Sequence, residues 1–353
     1  MMRRLLAIVF GVALYATSAD AAEMAFDFSE VKPGDVPPGF RSTVAGQGKP
    51  GDWKIVMDEL PQAFPTVTPK AAGAGKRPVL AQLARDRTDE HAPMLVYEGE
   101  TFGDFKITTL FKLVDGAVEQ MAGIAFRIQD ENNYYYVRAS GLGNTFSFFK
   151  ILDGHRSSPV GSKVEIPKGV WHEMTVECKG SEIRASLNGK ALVPTVEDKS
   201  FGIGKIGFWT KSDSVSYFAD TRVIYTPREK LVQVLVREAL DKFPRLQGIK
   251  IFAANVRGQN PHLVASSEAT DIGKPAPPEV QDVLARSIPY HGKDRDNVII
   301  TLPLRDRNGE NVAAVKVIMK SFPGQTEKNA LARAQPIVQR MEGRFQTLKD
   351  LIE

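Results

Sequence analysis

The sequence predicts a multi-domain chain, an antiparallel all-β sandwich followed by a smaller α+β domain. Three observations carry this. Between residues 26 and 225, short runs alternate apolar with polar positions and are separated by turn pairs such as Asp153-Gly154 and Asn188-Gly189, the period and punctuation of an antiparallel sheet. No long helical period interrupts those runs. Beyond Tyr225, the apolar residues Val232, Val236, Ala239, Leu240 and Phe243 fall at helical spacing instead.

At the N-terminus, Arg3 and Arg4 precede an apolar run over residues 5–16, and Ala19, Asp20 and Ala21 form a small-residue site. This is the pattern of a signal peptide occupying residues 1–21, with an apolar run too short to span a bilayer. The mature protein is then expected to be periplasmic or secreted, with no membrane insertion after cleavage. Cleavage takes Arg3, Arg4 and Asp20 from the 46 basic and 42 acidic residues, leaving 44 against 41. So small an excess argues against a nucleic-acid partner.

Strands of the first domain are expected at residues 105–113, 146–152, 171–178, 183–187 and 205–210. Residues 69–78, rich in Gly, Ala, Lys and Pro, read as an exposed loop. Cys178 is the one cysteine, so no internal disulfide can form and apolar burial must hold the fold together. Because it alternates with Met174 and Val176, it reads as a buried strand thiol. Trp171, opening its strand after a turn at Gly169, reads as core.

Residues 123–139 form the expected central hairpin, with turn-forming residues 129–133 between β-branched and aromatic flanks. With the turn at Glu131 and Asn132 and Phe126 opposite Val137, one face carries Ile124, Phe126, Ile128, Tyr135 and Val137. The other carries Arg127, Gln129, Tyr134, Tyr136 and Arg138. Tyrosine rings can stack on sugars while guanidinium groups reach hydroxyls or carboxylates. The same residues would equally serve as cross-strand pairs that stiffen a covered sheet. Trp209, Lys211 and Asp213 form a second group open to the same two readings. These seven, Arg127, Tyr134, Tyr136, Arg138, Trp209, Lys211 and Asp213, are the candidate ligand-binding residues. An open patch of this kind would tolerate truncation of Tyr136 or Arg138 with little loss of stability.

A wider set of residues carries a family resemblance. Gly51, Asp52 and Trp53, residues 79–82, residues 123–138, residues 169–172, Leu187 to Gly189 and residues 204–214 together resemble bacterial concanavalin A-like jelly rolls. More narrowly they are similar to the laminin-G-like group that includes 3-keto-disaccharide hydrolase-type domains. The resemblance spans residues 24–226 and implies a jelly-roll sandwich. Such domains serve as carbohydrate-binding modules, adhesion modules and glycosidases, so the fold does not choose among them.

Retaining glycosidases need two carboxylates about 5 Å apart, which family-sixteen-like jelly rolls place in a Glu-x-Asp-x-x-Glu motif. No glutamate here is followed two residues later by aspartate, so no catalytic residue is assigned. Asp130, Glu131 and Asp213 are the acids nearest the recognisable motifs. The five histidines, His91, His155, His172, His262 and His291, show no paired spacing for zinc. Gly73 to Lys76 lacks the remaining residues of a phosphate loop, and Gly141 and Gly143 lack the third glycine of a dinucleotide fingerprint. Residues 130–133 offer oxygens to calcium, but a tight polar turn uses them for Asx-type hydrogen bonds. No metal or other cofactor is therefore expected.

In the second part, residues 227–247 are expected to form a linker helix ended by Pro244. Residues 248–353 then form the α+β domain. Its strands are expected at 249–256, 262–266, 297–304 and 311–319, with a short helix at 278–286 and a hairpin turn over residues 305–309. A long C-terminal helix starts at Thr326 as N-cap, carrying Leu331, Ala334, Val338, Met341, Phe345, Leu348 and Ile352 as its apolar stripe. This order of elements, with residues 265–275 and 303–309, resembles extracytoplasmic Cache (PAS-like) sensor domains.

The expected function is an exported protein that binds a carbohydrate or small acidic ligand. Two alternatives stand beside it: a secreted glycosidase or lyase acting on a glycan or disaccharide, and a structural or protein-interaction module.

Overall fold

The computed structural model describes residues 21–61, 75–254 and 260–352. Residues 1–20 of the expected signal segment and residues 69–74 of the expected loop lie outside them. Two compact units are divided between Arg228 and Glu229.

In the first unit, strands β1 to β16 are Ala22–Phe26, Phe40–Gly46, Trp53–Glu59, Lys76–Gln82, His91–Phe102, Phe105–Asp115, Met121–Asp130, Asn133–Ser140, Thr145–Leu152, His155–Arg156, Val160–Lys163, Trp171–Lys179, Glu182–Leu187, Lys190–Glu197, Gly204–Trp209 and Val215–Tyr225. They form two antiparallel sheets of eight strands each. One is ordered β14-β13-β12-β6-β16-β4-β3 with β1 beside β16, and the other β10-β9-β8-β7-β15-β5-β2 with β11 beside β9. Alternation along each strand sends one set of side chains inward, so that Phe111, Met174, Val176 and Phe218 of the first sheet meet Ile124, Phe126, Tyr135, Val137 and Phe208 of the second. This is a jelly-roll-like sandwich with a single aromatic-rich core. Cys178 lies in that core, and burial pushes its thiol up to about 12, which leaves it unreactive.

Two expectations fail here for physical reasons. Lys76 to Pro78 belong to β4 rather than to a loop, with Pro78 opposite Met57 of β3. The proline is tolerated because β16 pairs with β4 only from Leu80 onward, so no second ladder needs its missing N–H. Trp171 does not enter the sandwich core. It packs on the other face of its sheet with Leu60, Val56 and Tyr217, its indole donates to the Glu59 carbonyl at 2.8 Å, and the Lys112 ammonium lies 5.0 Å over its ring.

In the second unit the helices are Leu231–Lys242 (α1), Pro278–Arg286 (α2), Glu327–Glu342 (α3) and Leu348–Ile352 (α4), and the strands are Leu246–Ala253 (β17), His262–Ser266 (β18), Tyr290–Asp294 (β19), Asn297–Arg305 (β20) and Asn311–Lys320 (β21). The strands form one antiparallel sheet ordered β18-β17-β21-β20-β19. α1, α3 and α4 cover one face, and α2 packs with Phe252, Leu263 and Ala314 on the other. α1 is not a linker, since Val232, Leu235, Val236 and Ala239 are buried in this unit's core. Thr326 caps α3 as expected, accepting the Asn329 N–H at 3.2 Å. The C-terminal helix, however, is interrupted after Glu342. The Asp350 carboxylate accepts the N–H groups of Gln346 and Thr347, which starts a separate α4.

Candidate functional site

The site lies on the second sheet of the sandwich, on the face turned away from the first. Strand alternation places Tyr134 and Tyr136 there because Tyr135 and Val137 point into the core. Tyr136 stands opposite Phe149 of β9 and opposite Ala125 of β7, while Trp209 of β15 stands opposite Gly123 of β7. Small residues on β7 let the indole lie across that strand. A Cβ at Gly123 would sit 3.2 Å from the Trp209 ring and 2.6 Å from the Val137 carbonyl oxygen. The result is a three-ring stack. Phe149 and Tyr136 lie 4.9 Å apart at 10°, and Tyr136 and Trp209 lie 4.5 Å apart at 20°.

Above Tyr134, Tyr136 and Trp209 opens a cleft of about 400 Å³, within the range of small-ligand sites. Its rim comes from chain segments far apart in sequence: Gly46 at the end of β2, Asp89 to Ala92 entering β5, Glu131 and Asn132 in the β7–β8 turn, Gly154 to Arg156 after β9, and Lys211 beyond β15. Charges on the rim are largely paired. Glu131 accepts Arg41 Nη1 at 2.7 Å and Thr43 Oγ1 at 2.6 Å. Burial raises its pKa, but those two hydrogen bonds outweigh burial and hold the carboxyl below its ordinary value. Lys211 Nζ lies 2.7 Å from Asp89 and 3.5 Å from Glu119, and its hydrogen bond lowers the pKa of the Asp89 carboxyl.

Two polar atoms on cleft residues are left without partners. His91 is fully buried, and its Nε2 contacts the Lys49 carbonyl at 2.7 Å. In the neutral ring Nε2 must therefore carry the hydrogen, so that Nδ1, which has no partner, holds the free lone pair. The Trp209 indole N–H is likewise buried and unsatisfied, its interaction with the Tyr134 hydroxyl falling short of hydrogen-bond geometry. Burial pushes the phenols of Tyr134 and Tyr136 upward, so both are neutral donors near neutral pH.

Of the seven candidate residues, Tyr134, Tyr136, Trp209 and Lys211 converge on the cleft. Arg138 lies beside it without lining it. Its Nη1 donates to Thr145 Oγ1 at 2.6 Å, its guanidinium sits 5.2 Å over Phe149, and burial lowers its pKa. Arg127 is elsewhere altogether. A register shift between Phe126 and Asp130, with Arg127 at φ 48°, turns its side chain to the opposite side and brings Ile128 to the tyrosine face. There the guanidinium donates to the carbonyls of Gly180 at 2.7 Å, Phe201 at 2.9 Å and Gly103 at 3.3 Å, tying three loops together. Asp213 is also structural, accepting the N–H groups of Ala117, Val118 and Glu119 at 2.9 to 3.2 Å. The tyrosines themselves are almost fully enclosed, at 2% and 3% exposure, so their truncation would not be silent for stability. His91 and Arg156 are cleft residues that strand patterning did not single out, because one opens β5 and the other ends the two-residue β10, where no alternating run precedes them. Asp130 accepts from Asn132 N and Asn133 Nδ2, the Asx pattern of a plain turn. Among the described residues, no group of three or more His, Cys, Asp and Glu side chains could hold a metal ion.

Comparison with known proteins bears on this unit. Residues 73–223 match the family described as a 3-keto-alpha-glucoside-1,2-lyase-like domain. The first unit therefore carries a 3-keto-disaccharide hydrolase-like jelly roll. Solved structures similar to the chain include the carbohydrate-binding module CBM66 from Bacillus subtilis, at 18% identity over 48% of this chain and 94% of that one, with a TM-score of 0.36. A protein of unknown function with a galectin-like fold, also from Bacillus subtilis, is 14% identical over 54% of this chain and 90% of its own, with a TM-score of 0.35. Domain 4 of AbnA, an extracellular GH43 arabinanase from Geobacillus stearothermophilus solved with arabinotriose, is 12% identical over 57% of this chain and 91% of its own, with a TM-score of 0.36. No curated protein matches the chain. In the lyase-like domain, the matched segment supplies the whole aromatic floor of the cleft and all of its rim except the β2 end.

Proposed function

We propose that the cleft of the lyase-like domain binds a carbohydrate and that the protein is an exported sugar-binding protein. The observation that carries this is the aromatic floor beneath a polar rim, since a sugar offers an apolar ring face to the first and hydroxyls to the second. A neutral polyhydroxylated ligand fits better than an acidic one. Arg127 and Arg138 do not line the cleft, Lys211 is already paired with Asp89, and Arg156, the remaining rim guanidinium, lies 5.7 Å over the Phe149 ring. The α+β unit is read as Cache/PAS-like, on the order of its helices and strands.

The test uses Lys211→Ala and Arg156→Ala, two rim residues whose loss opens no core cavity. Titration of the full chain with a mono- and disaccharide panel that includes 3-keto-glucosides should give saturable binding, weakened about tenfold by either substitution. If no member of the panel binds the unaltered protein, the reading fails.

One observation favours a second reading, elimination from a 3-keto-glucoside. A base would take the C2 proton, acidified by the neighbouring ketone, the electron pair would form the C1=C2 bond, and the aglycone oxygen would leave from C1 and be protonated. His91, which lines the cleft with a partnerless Nδ1, is the residue suited to that first step once its buried ring turns toward a bound sugar. His91→Gln should then abolish release of the aglycone while leaving sugar binding measurable. Absence of turnover by the unaltered protein on any bound 3-keto-glucoside leaves the binding role alone.

A further inference from the structure

The second unit holds a groove of about 410 Å³ with a different chemistry. It lies between the turn after α1, the end of β21 and one side of α3. Phe243, Leu246, Met319 and Ile337 make its apolar lining, and the charged residues that line it are Lys242, Arg245 and Arg333, with no acid among them. None of the three cations forms an ion pair among the described residues. That sets them apart from their neighbours, since Arg344 is paired with Glu238, Lys316 with Glu279 at 2.8 Å, and Lys250 with Asp271. Lys242 has a structural role available as the basic residue in the last turn of α1. Arg245 lies beyond the helix and has none of that kind. Arg333 points its Nη atoms at the Lys320 carbonyl, at 3.2 and 3.3 Å, and stacks over Phe322.

We infer that this groove is a binding site for an amphipathic carboxylate, an acyl chain with one acid group. Apolar lining without any polar side chain except three cations suits a chain laid along Phe243, Met319 and Ile337, with its carboxylate held by Lys242 and Arg245. A neutral lipid would leave the cationic rim unused, and an amphipathic cation would be repelled by it. The site is independent of the sugar cleft, because all of its residues lie in the other unit.

The probe is decanoate, titrated into the full chain below its micelle concentration, with decanol and decyltrimethylammonium as controls of equal length. One saturable site is expected for decanoate, with at least tenfold weaker binding of both controls. The double substitution Lys242→Gln with Arg245→Gln should weaken decanoate about tenfold or more. Ala332→Trp, which fills the groove from an exposed position on α3, should abolish binding, while Lys211→Ala should leave it unchanged. Decanol binding as tightly as decanoate, or decanoate binding unaltered by the double substitution, overturns the proposal. Failure of the sugar titrations would leave this result untouched.

Discussion

At the scale of single residues, the most informative side chains are those whose sequence context suggested a ligand and whose surroundings supply protein partners instead. Asp213 accepts three consecutive backbone N–H groups and is 4% exposed. Burial raises its pKa, but the amides of Glu119, Ala117 and Val118 outweigh burial and lower the carboxyl below its ordinary value. Its stabilising contribution is therefore present above the unfolded pKa of about 4 and lost as pH falls through the folded-state value. Asp213→Ala should destabilise the protein by about 1–3 kcal/mol at pH 7, because buried N–H groups lose their acceptor. That loss should shrink in acid, as read from denaturant midpoints across pH. Arg127→Lys should behave alike, since an ammonium cannot reproduce a planar fork that reaches three carbonyls. It should lower the melting temperature without altering sugar affinity. His172 gives the opposite kind of titration. Its ring packs 5.5 Å from Phe111, its Nδ1 faces Asn188 Nδ2 at 3.1 Å, and burial lowers its pKa. Below about pH 6.5 the unfolded chain takes up a proton that the folded ring resists, so this contribution to stability falls as pH drops. Comparing stability at pH 5 and pH 8 in His172→Gln should show that part of the pH dependence removed. An unchanged profile would mean the ring is protonated in place.

At the scale of elements, the β7–β8 hairpin shows both how far pattern reading reaches and where it stops. The two-residue turn at Glu131 and Asn132 was legible, and so was the division of Tyr134, Tyr136 and Arg138 from Tyr135 and Val137, because alternation is local. The observed pairing of Phe126 with Tyr135 differs by two residues from the expected pairing with Val137, and an even shift preserves the faces of β8. A register shift in β7 was not legible. It depends on three carbonyls brought by other loops to receive Arg127, and no local pattern announces them. The break between α3 and α4 was hidden in a similar way, the apolar stripe running on while Asp350 captures the N–H groups of the residues that precede α4. The cleft was half legible for the same reason: its floor comes from strands with readable alternation, its rim from turns and strand ends that meet only in the folded state. Gly123 is the position where floor and strand geometry coincide. Gly123→Ala would bring a Cβ within 2.6 Å of the Val137 carbonyl, so it should cost about 1–3 kcal/mol as an overpacking change. It should also displace Trp209 from Tyr136, which near-ultraviolet circular dichroism would detect. A variant with unaltered stability and spectrum would mean that β7 can shift freely there.

At the scale of the whole molecule, the two units have separate apolar cores with no residue in common, one built on the sandwich and one on α1, α3 and the five-stranded sheet. Each is large enough to be stable alone, since domains of about 100 to 200 residues bury sufficient surface. Residues 22–228 and 229–353, expressed separately, should therefore both fold. The calorimetric prediction is sharper. At about 0.7 kcal/mol per residue, the first unit should unfold with an enthalpy of roughly 145 kcal/mol and the second with roughly 90, giving two transitions in a ratio of about 1.6. The ligands should separate them further, because a molecule that binds only the folded form raises the midpoint of the unit that holds it. A bound sugar should move the larger transition and decanoate the smaller one. A single transition whose calorimetric and van't Hoff enthalpies agree for the entire chain, and which either ligand shifts as a whole, would show instead that the units unfold together.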